Sequence, residues 1–248
     1  MKYTRTDIKT KREWYKIVAI GDFHLGHKAC DMDRIHGHID WIKSHDCMCI
    51  LLGDTIENTI PGSKGSMWEQ GTTPEEQIEH AVELLTPIKD KIIGMHDGNH
   101  SYRTVRATSI SPEKWIAKDV GVKYLGHQHM HVIQFNKTAS ITYHGFSTHG
   151  SSGGTTSTGK LGALLKLKTI AEADFYLMGH VHEKLTHATK VSTMKSNRPI
   201  DKKEIYASSG GFIKYEDSYA EMKGYGKSNT GCVVLEFNTK RKDIHASV

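Results

Sequence analysis

The sequence predicts an α/β protein built from two mixed β-sheets packed face to face, with helices on the outside. Three observations carry this. Short apolar runs recur along the chain, and five of them hand over an Asp, Asn or His at their C-terminal end. Helical spacing alternates with these runs in the first half. Beyond His182 the pattern becomes strand after strand, joined by polar turns.

Ile17 to Gly21 reads as a short buried strand. Asp33 to Ser44 carries Ile35, Ile39 and Ile42 at helical spacing. Cys47 to Gly53 is a second buried strand. Thr55 to Thr73, with Pro61, Gly62, Gly65 and Gly71, reads as a long loop, and such loops inside domains usually serve function. Thr73-Pro74-Glu75-Glu76 opens a helix by cap, N1 proline and first-turn acids, with Ile78, Val82 and Leu85 as its apolar face. Lys91 to Gly94 is a third strand, and Ser111-Pro112-Glu113-Lys114 starts another helix. Val122 to Leu125, Met130 to Phe135 and Ser140 to Tyr143 follow as strands. Gly150 to Gly159 is a loop, Leu161 to Ala171 a helix and Asp174 to Met178 a strand. The last strands are Thr186 to Met194, Glu204 to Ala207 and Gly231 to Phe237. No repeat or linker interrupts this, so residues 1–248 are expected to form one domain.

The composition, 37% apolar and 25% charged over 248 residues, is that of a globular protein with a sizeable core. No apolar run approaches the roughly 20 residues of a membrane span. Met1 to Arg12 has charge but no apolar signal core, so the expected location is the cytoplasm. Cys30, Cys47, Cys49 and Cys232 form no Cys-x-x-Cys pair, which argues against a cysteine zinc site. The net charge of +5 mildly favours anionic substrates or nucleic acid, and an ordinary basic surface explains it equally well.

The chemistry sits in the strand-end motifs: Asp22-Phe23-His24, Gly53-Asp54, Gly98-Asn99-His100, His144-Gly145 and Gly179-His180-Val181-His182. Asp, Asn and His are donors for divalent metals of intermediate softness, and the C-terminal ends of strands are where α/β sheets build sites. In that order the motifs resemble the calcineurin-like metallophosphoesterase superfamily, from about Ile17 to His182. The stretch Ser209-Gly210-Gly211-Phe212, with Asp217-Ser218-Tyr219-Ala220-Glu221, resembles the end of phage-type and bacterial members.

The resemblance implies a four-layer α/β/β/α sandwich and a dinuclear centre. Asp22, His24, Asp54 and His182 would hold one metal; Asp54, Asn99, His144 and His180 would hold the other, with Asp54 bridging. His100 is implied as general acid. Manganese suits these donors best, and iron or zinc also fits. His144 and His149 compete for one ligand place; His144 is favoured because it ends a strand and precedes Gly. His149 would then join Gly150 and Gly153 in a loop whose backbone N–H groups could cradle a phosphate. His27 reads as a surface residue, and His127, His129 and His131 as structural or solvated.

Asp54 is followed by Thr55-Ile56-Glu57-Asn58, without the arginine of protein phosphatases, and His100 by Ser101 rather than an acid, leaving Asp97 as a candidate to orient it. The reading is therefore a phosphodiesterase acting on nucleotide or nucleic-acid diesters. A phosphomonoesterase on small metabolites or nucleotides, and a catalytically weak binding or scaffold protein, are the alternatives. The Thr55 to Thr73 and Gly145 to Gly159 loops are expected to set specificity.

Overall fold

Strand Trp14–Ile20 shows why the apolar runs are continuous. Ile17 and Ala19 pack towards one side, Val18 and Ile20 towards the other, and all four are buried. A strand covered on both faces reads as an unbroken apolar run. The computed structural model describes residues 1–63, 67–136, 141–195, 197–216, 219–222, 224 and 226–247.

The elements in chain order are β1 (Tyr3–Ile8), β2 (Trp14–Ile20), α1 (Met32–Ser44), β3 (Cys47–Leu51), α2 (Pro74–Leu85), β4 (Ile92–His96), α3 (Asn99–Thr108), α4 (Pro112–Val120), β5 (Tyr124–Gly126), β6 (Gln128–Phe135), β7 (Thr142–Thr148), α5 (Ser157–Leu165), β8 (Phe175–Met178), β9 (Leu185–Lys195), β10 (Arg198–Ser208), α6 (Tyr219–Met222), β11 (Val233–Asn238) and β12 (Ile244–Ser247). They form two six-stranded mixed sheets, ordered β12-β11-β2-β3-β4-β5 and β1-β6-β7-β8-β10-β9.

Between the sheets Ile17, Ile50 and Leu52 meet Phe135, Tyr143, Phe175 and Phe237. On the outer face of the first sheet Val18, Ile20 and Cys49 pack against Ile35, Ile39 and Ile42 of α1, Ala81 and Leu85 of α2, and Ile116 of α4. On the outer face of the second sheet Phe146, Tyr176 and Tyr206 pack against Leu164 of α5. The result is the four-layer arrangement the sequence predicts. No helix among the described residues is long and apolar enough to cross a membrane.

Thr73 caps α2 in a reciprocal box with Glu76, as its sequence indicates. The buried face of α2 is Gln77, Ala81, Leu84 and Leu85, one step round from the expected stripe, because Gln77 turns inward to bond Asn58 N–H and Thr72 O. The expected helix over Leu161 to Ala171 begins earlier, at Ser157, and passes into a 3-10 turn at Lys166–Thr169. Ser140, Gly65, Asp217 and Ser218 lie outside the described residues.

One strand corrects the site. β7 does not stop at Tyr143 but runs to Thr148. Gly145 sits in mid-strand, where a Cβ would stand 2.0 Å from Phe175 Cζ; glycine there makes room for a ring and does not end the strand. The residue that follows the true strand end is His149.

Candidate metal centre

The site loops leave the C-terminal ends of β2, β3, β4, β7 and β8. The pairs β2–β3, β3–β4 and β7–β8 are parallel, so their ends open on one edge in each sheet. Backbone bonds tie the first two loops together: Asp22 N–H donates to Gly53 O at 2.9 Å, and His24 N–H to Asp54 O at 3.1 Å. Six non-glycine residues here, Asp22, His24, Asp54, Asn58, His180 and His182, have φ between 48° and 67°. Each left-handed residue costs about 1–3 kcal/mol, and such strain collects where function over-determines the backbone.

Two groups of ligand-type atoms result, each within 4.8 Å: Asp22 with His24 and His182, and Asp54 with His149 and His180. In the first, the Nε2 atoms of His24 and His182 converge to 3.1 Å. Two cis nitrogens on a cation at about 2.1 Å would stand roughly 3.0–3.4 Å apart, so the pair fits a shared metal. Asp22 Oδ1 lies 3.7 Å from His182 Nε2, and its carboxylate accepts His180 N–H and Ser209 Oγ–H. In the second, Asp54 Oδ2 lies 3.2 Å from His149 Nε2. Asn99 Oδ1 stands 2.8 Å from His149 Nε2 and 2.7 Å from His180 Nδ1.

The electrostatics favour added positive charge. Burial alone would push the His149 pKa down, but the Asp54 carboxylate beside it outweighs this and lifts it to about 10. Burial likewise opposes ionisation of Asp54, yet His149 and His100 hold its pKa well below the usual carboxylate range. His182, in contrast, is pushed down to about 4 by burial. A donor set of carboxylates, imidazoles and one amide that draws a proton onto His149 is suited to a cation. The site therefore fits the metals the motifs imply.

A third group, His24 with Glu57 and His100, reads as support. Glu57 Oε2 lies 3.0 Å from His24 Nδ1, which directs His24 Nε2 at His182 and Asp22. This is the carboxylate–histidine arrangement that orients metal ligands. His100 Nδ1 stands 2.7 Å from Glu57 O and 3.3 Å from Glu57 Oε2. Burial opposes ionisation of Glu57, but its bonds to His100 and His24 hold its pKa far below the ordinary range. Glu57 therefore orients His100. Asp97, the candidate from sequence, accepts from Tyr124 Oη at 2.6 Å instead. Glu57 was missed because nothing marks it except its place three residues after Asp54.

His144 is corrected too. On β7 it shares the outer face with Phe146, and its side chain is 54% exposed beside Asp174. The structure keeps it out of both groups and puts His149, its side chain 5% exposed, in the second. We expect His149→Ala to weaken Mn²⁺ binding at least 100-fold, more than the loss of an outer partner, and His144→Ala to leave it within about threefold. Equal effects in a metal titration would overturn the exchange.

Gly150, at φ 87°, turns the chain over Met178, whose Cγ a Cβ would meet at 2.5 Å; Gly153 is exposed and faces open space. The Gly150 N–H donates to Thr148 Oγ1 at 3.0 Å. His27 Nδ1 accepts Ala29 N–H. His96 and His131 each reach Ser147 Oγ at 2.6 Å, and His129 reaches Thr4, all inside the fold.

Behind Asp54, Glu113 of α4 is fully buried and its Oε1 accepts Thr55 N–H at 2.7 Å. Burial, with Asp97 and Asp54 adding to it, lifts its pKa from 4.5 to about 8. The fold thus holds a proton that the unfolded chain releases above pH 4.5, so this contribution is full at acid pH and lost as pH rises towards 8. The slope is at most about 1.4 kcal/mol per pH unit. Glu113→Gln should flatten the decline of Tm between about pH 5 and pH 8. An unchanged slope would place the titrating group elsewhere.

Fold and site together define an α/β/β/α sandwich carrying a candidate metal centre. No protein-family model matches the chain, and no curated protein matches its sequence. Among solved structures it is similar to a conserved uncharacterized protein from Streptococcus pneumoniae described as a predicted phosphoesterase, at 14% identity, 94% of this chain, 88% of that chain and TM-score 0.40. A mutant of Vps29 from Entamoeba histolytica is similar at 11% identity, 94% and 97% coverage and TM-score 0.40. GAP50, the anchor in the inner membrane complex of Plasmodium, is similar at 11% identity, 94% and 88% coverage and TM-score 0.37.

Proposed function

We propose that this protein is a calcineurin-like metallophosphoesterase of the phage and bacterial type, hydrolysing phosphodiesters of nucleotides or nucleic acids. One observation carries the reading: the Asp22–His24–His182 and Asp54–His149–His180 groups each join strand-end loops of both sheets, with His100 Nε2 3.9 Å from Asp54 Oδ2. Two divalent cations, manganese first and iron or zinc next, would supply an activated water and charge neutralisation. Asp22, His24 and His182 would hold one; Asn99, His149 and His180 would hold the other; Asp54 stands between.

His100 Nε2 lies 3.9 Å from Asp54 Oδ2, while Nδ1 is anchored on Glu57. That leaves Nε2 as the atom that meets the leaving oxygen and, in the imidazolium form, gives it a proton. Glu57 keeps the ring in this orientation.

The test is hydrolysis of bis(p-nitrophenyl) phosphate and of the monoester by metal-stripped protein, with and without Mn²⁺. Mn²⁺-dependent cleavage with the diester preferred is expected. His100→Ala should keep its metals and lose about 10²–10⁴-fold in turnover. Cleavage of the monoester alone would overturn the diester reading, and two bound metals without any cleavage would point to a scaffold.

A further inference from the structure

Arg103 has no place in the motifs, yet it touches the reacting edge. It lies one turn after His100 on α3, its side chain 16% exposed. Its Nη2 stands 3.0 Å from His100 Nε2. A guanidinium only donates, so Nε2 is the acceptor in this contact. That is the nitrogen a leaving oxygen would need, so the guanidinium occupies the place the leaving group takes.

The charge of Arg103 is weakly answered. Its Nη1 reaches the neutral acceptors Glu57 O at 3.1 Å and Thr59 Oγ1 at 3.3 Å, and the Glu57 carboxylate only at 3.4 Å. That carboxylate is already shared by His24, His100 and Thr59. An arginine fork whose carboxylate partner is shared and stands at 3.4 Å keeps donors that match a phosphate. Thr59 also lines a cleft of about 390 Å³ with Ile60, Pro61, Met67 and Gln70, within the size range of small-molecule sites.

Resting on the phosphoesterase reading, we infer that Arg103, which reaches this cleft only through Thr59, forms a leaving-group site for a nucleotide that carries its own phosphate. The phosphate takes the guanidinium away from His100 Nε2, and the leaving oxygen replaces it. Cations held by the two ligand groups would bind the phosphate being cleaved; Arg103 holds the next one.

The test compares a thymidine dinucleotide having only its internal diester with the same dinucleotide phosphorylated at both ends, following cleavage of the internal bond. The parent should prefer the phosphorylated form at least tenfold in kcat/KM, mostly through KM. Arg103→Met should erase that preference and Arg103→Lys keep part of it, with Tm near the parent's. An equal loss on both substrates would reduce Arg103 to a positioning residue for His100, and an unchanged preference would remove it from substrate binding; either overturns the proposal. If the parent cleaves neither dinucleotide, the phosphoesterase reading fails, and binding of thymidine 3′,5′-bisphosphate decides on Arg103. Weaker binding by Arg103→Met then supports the anion site; equal affinity overturns it.

Discussion

Asp54→Asn is expected to abolish metal loading and to lower the proposed hydrolysis by about 10³-fold or more, the largest loss from any conservative change at this site. The reason lies in the two oxygens. Oδ1 accepts the His100 backbone N–H at 2.9 Å, and Oδ2 faces His149 Nε2 at 3.2 Å. Asparagine keeps one acceptor and replaces the other with a donor, so one orientation sets N–H against N–H at His100 and the other at His149. The change also removes the carboxylate of the Asp54–His149–His180 group, which the proposal makes the shared ligand, at a position 1% exposed. Breaking a buried charge pair costs about 3–5 kcal/mol, so the metal-free fold should weaken as well. Metal content by elemental analysis and diester turnover check this; a variant with two metals and parental turnover would show that Asp54 is not shared.

The sheet core and most site loops were legible because of burial on both faces. Ile17 to Ile20 and Cys49 to Leu52 are apolar without interruption, and the polar residues that end such runs stand out. Elements without that contrast were not legible. β1 alternates exposed and half-buried residues at a sheet edge. α3 shows no apolar stripe because its inward side meets polar loop groups, with Thr104 on Asn58 and Arg103 on Glu57. Glu57 is hidden for another reason. It acts on residues far along the chain, His24 lying 33 positions from it and His100 lying 43. No local pattern records such a contact. His149 was misplaced because a glycine has two meanings, a strand end or room for a ring, and at Gly145 only the position of Phe175 tells them apart.

Gly98→Ala should be almost as damaging as the loss of Asp54, although Gly98 offers no ligand. Its backbone is extended, at φ −120° and ψ 172°, so alanine suffers no conformational strain there. The obstacle is space. An added Cβ would stand 1.9 Å from Asp54 Oδ1, 2.4 Å from Asp54 N and 2.7 Å from Asp54 Cγ. Asp54 cannot retreat: its own φ is 48°, its carbonyl is bonded to His24 N–H, and its carboxylate is held by His100 and His149. Either the β3 loop or the start of α3 must shift, and both carry residues of the candidate centre. Overpacking of this kind costs about 1–3 kcal/mol in a core, and a displacement near 1 Å at a reacting centre costs about 10²-fold in rate. Gly98→Ala is therefore expected to lower Tm, to bind Mn²⁺ more weakly and to lose at least about 10²-fold in turnover. Gly153→Ala, at an exposed position with open space around it, is the control and should match the parent. If Gly98→Ala kept parental metal affinity and rate, the tight seating of Asp54 beneath α3 would not be what assembles the centre.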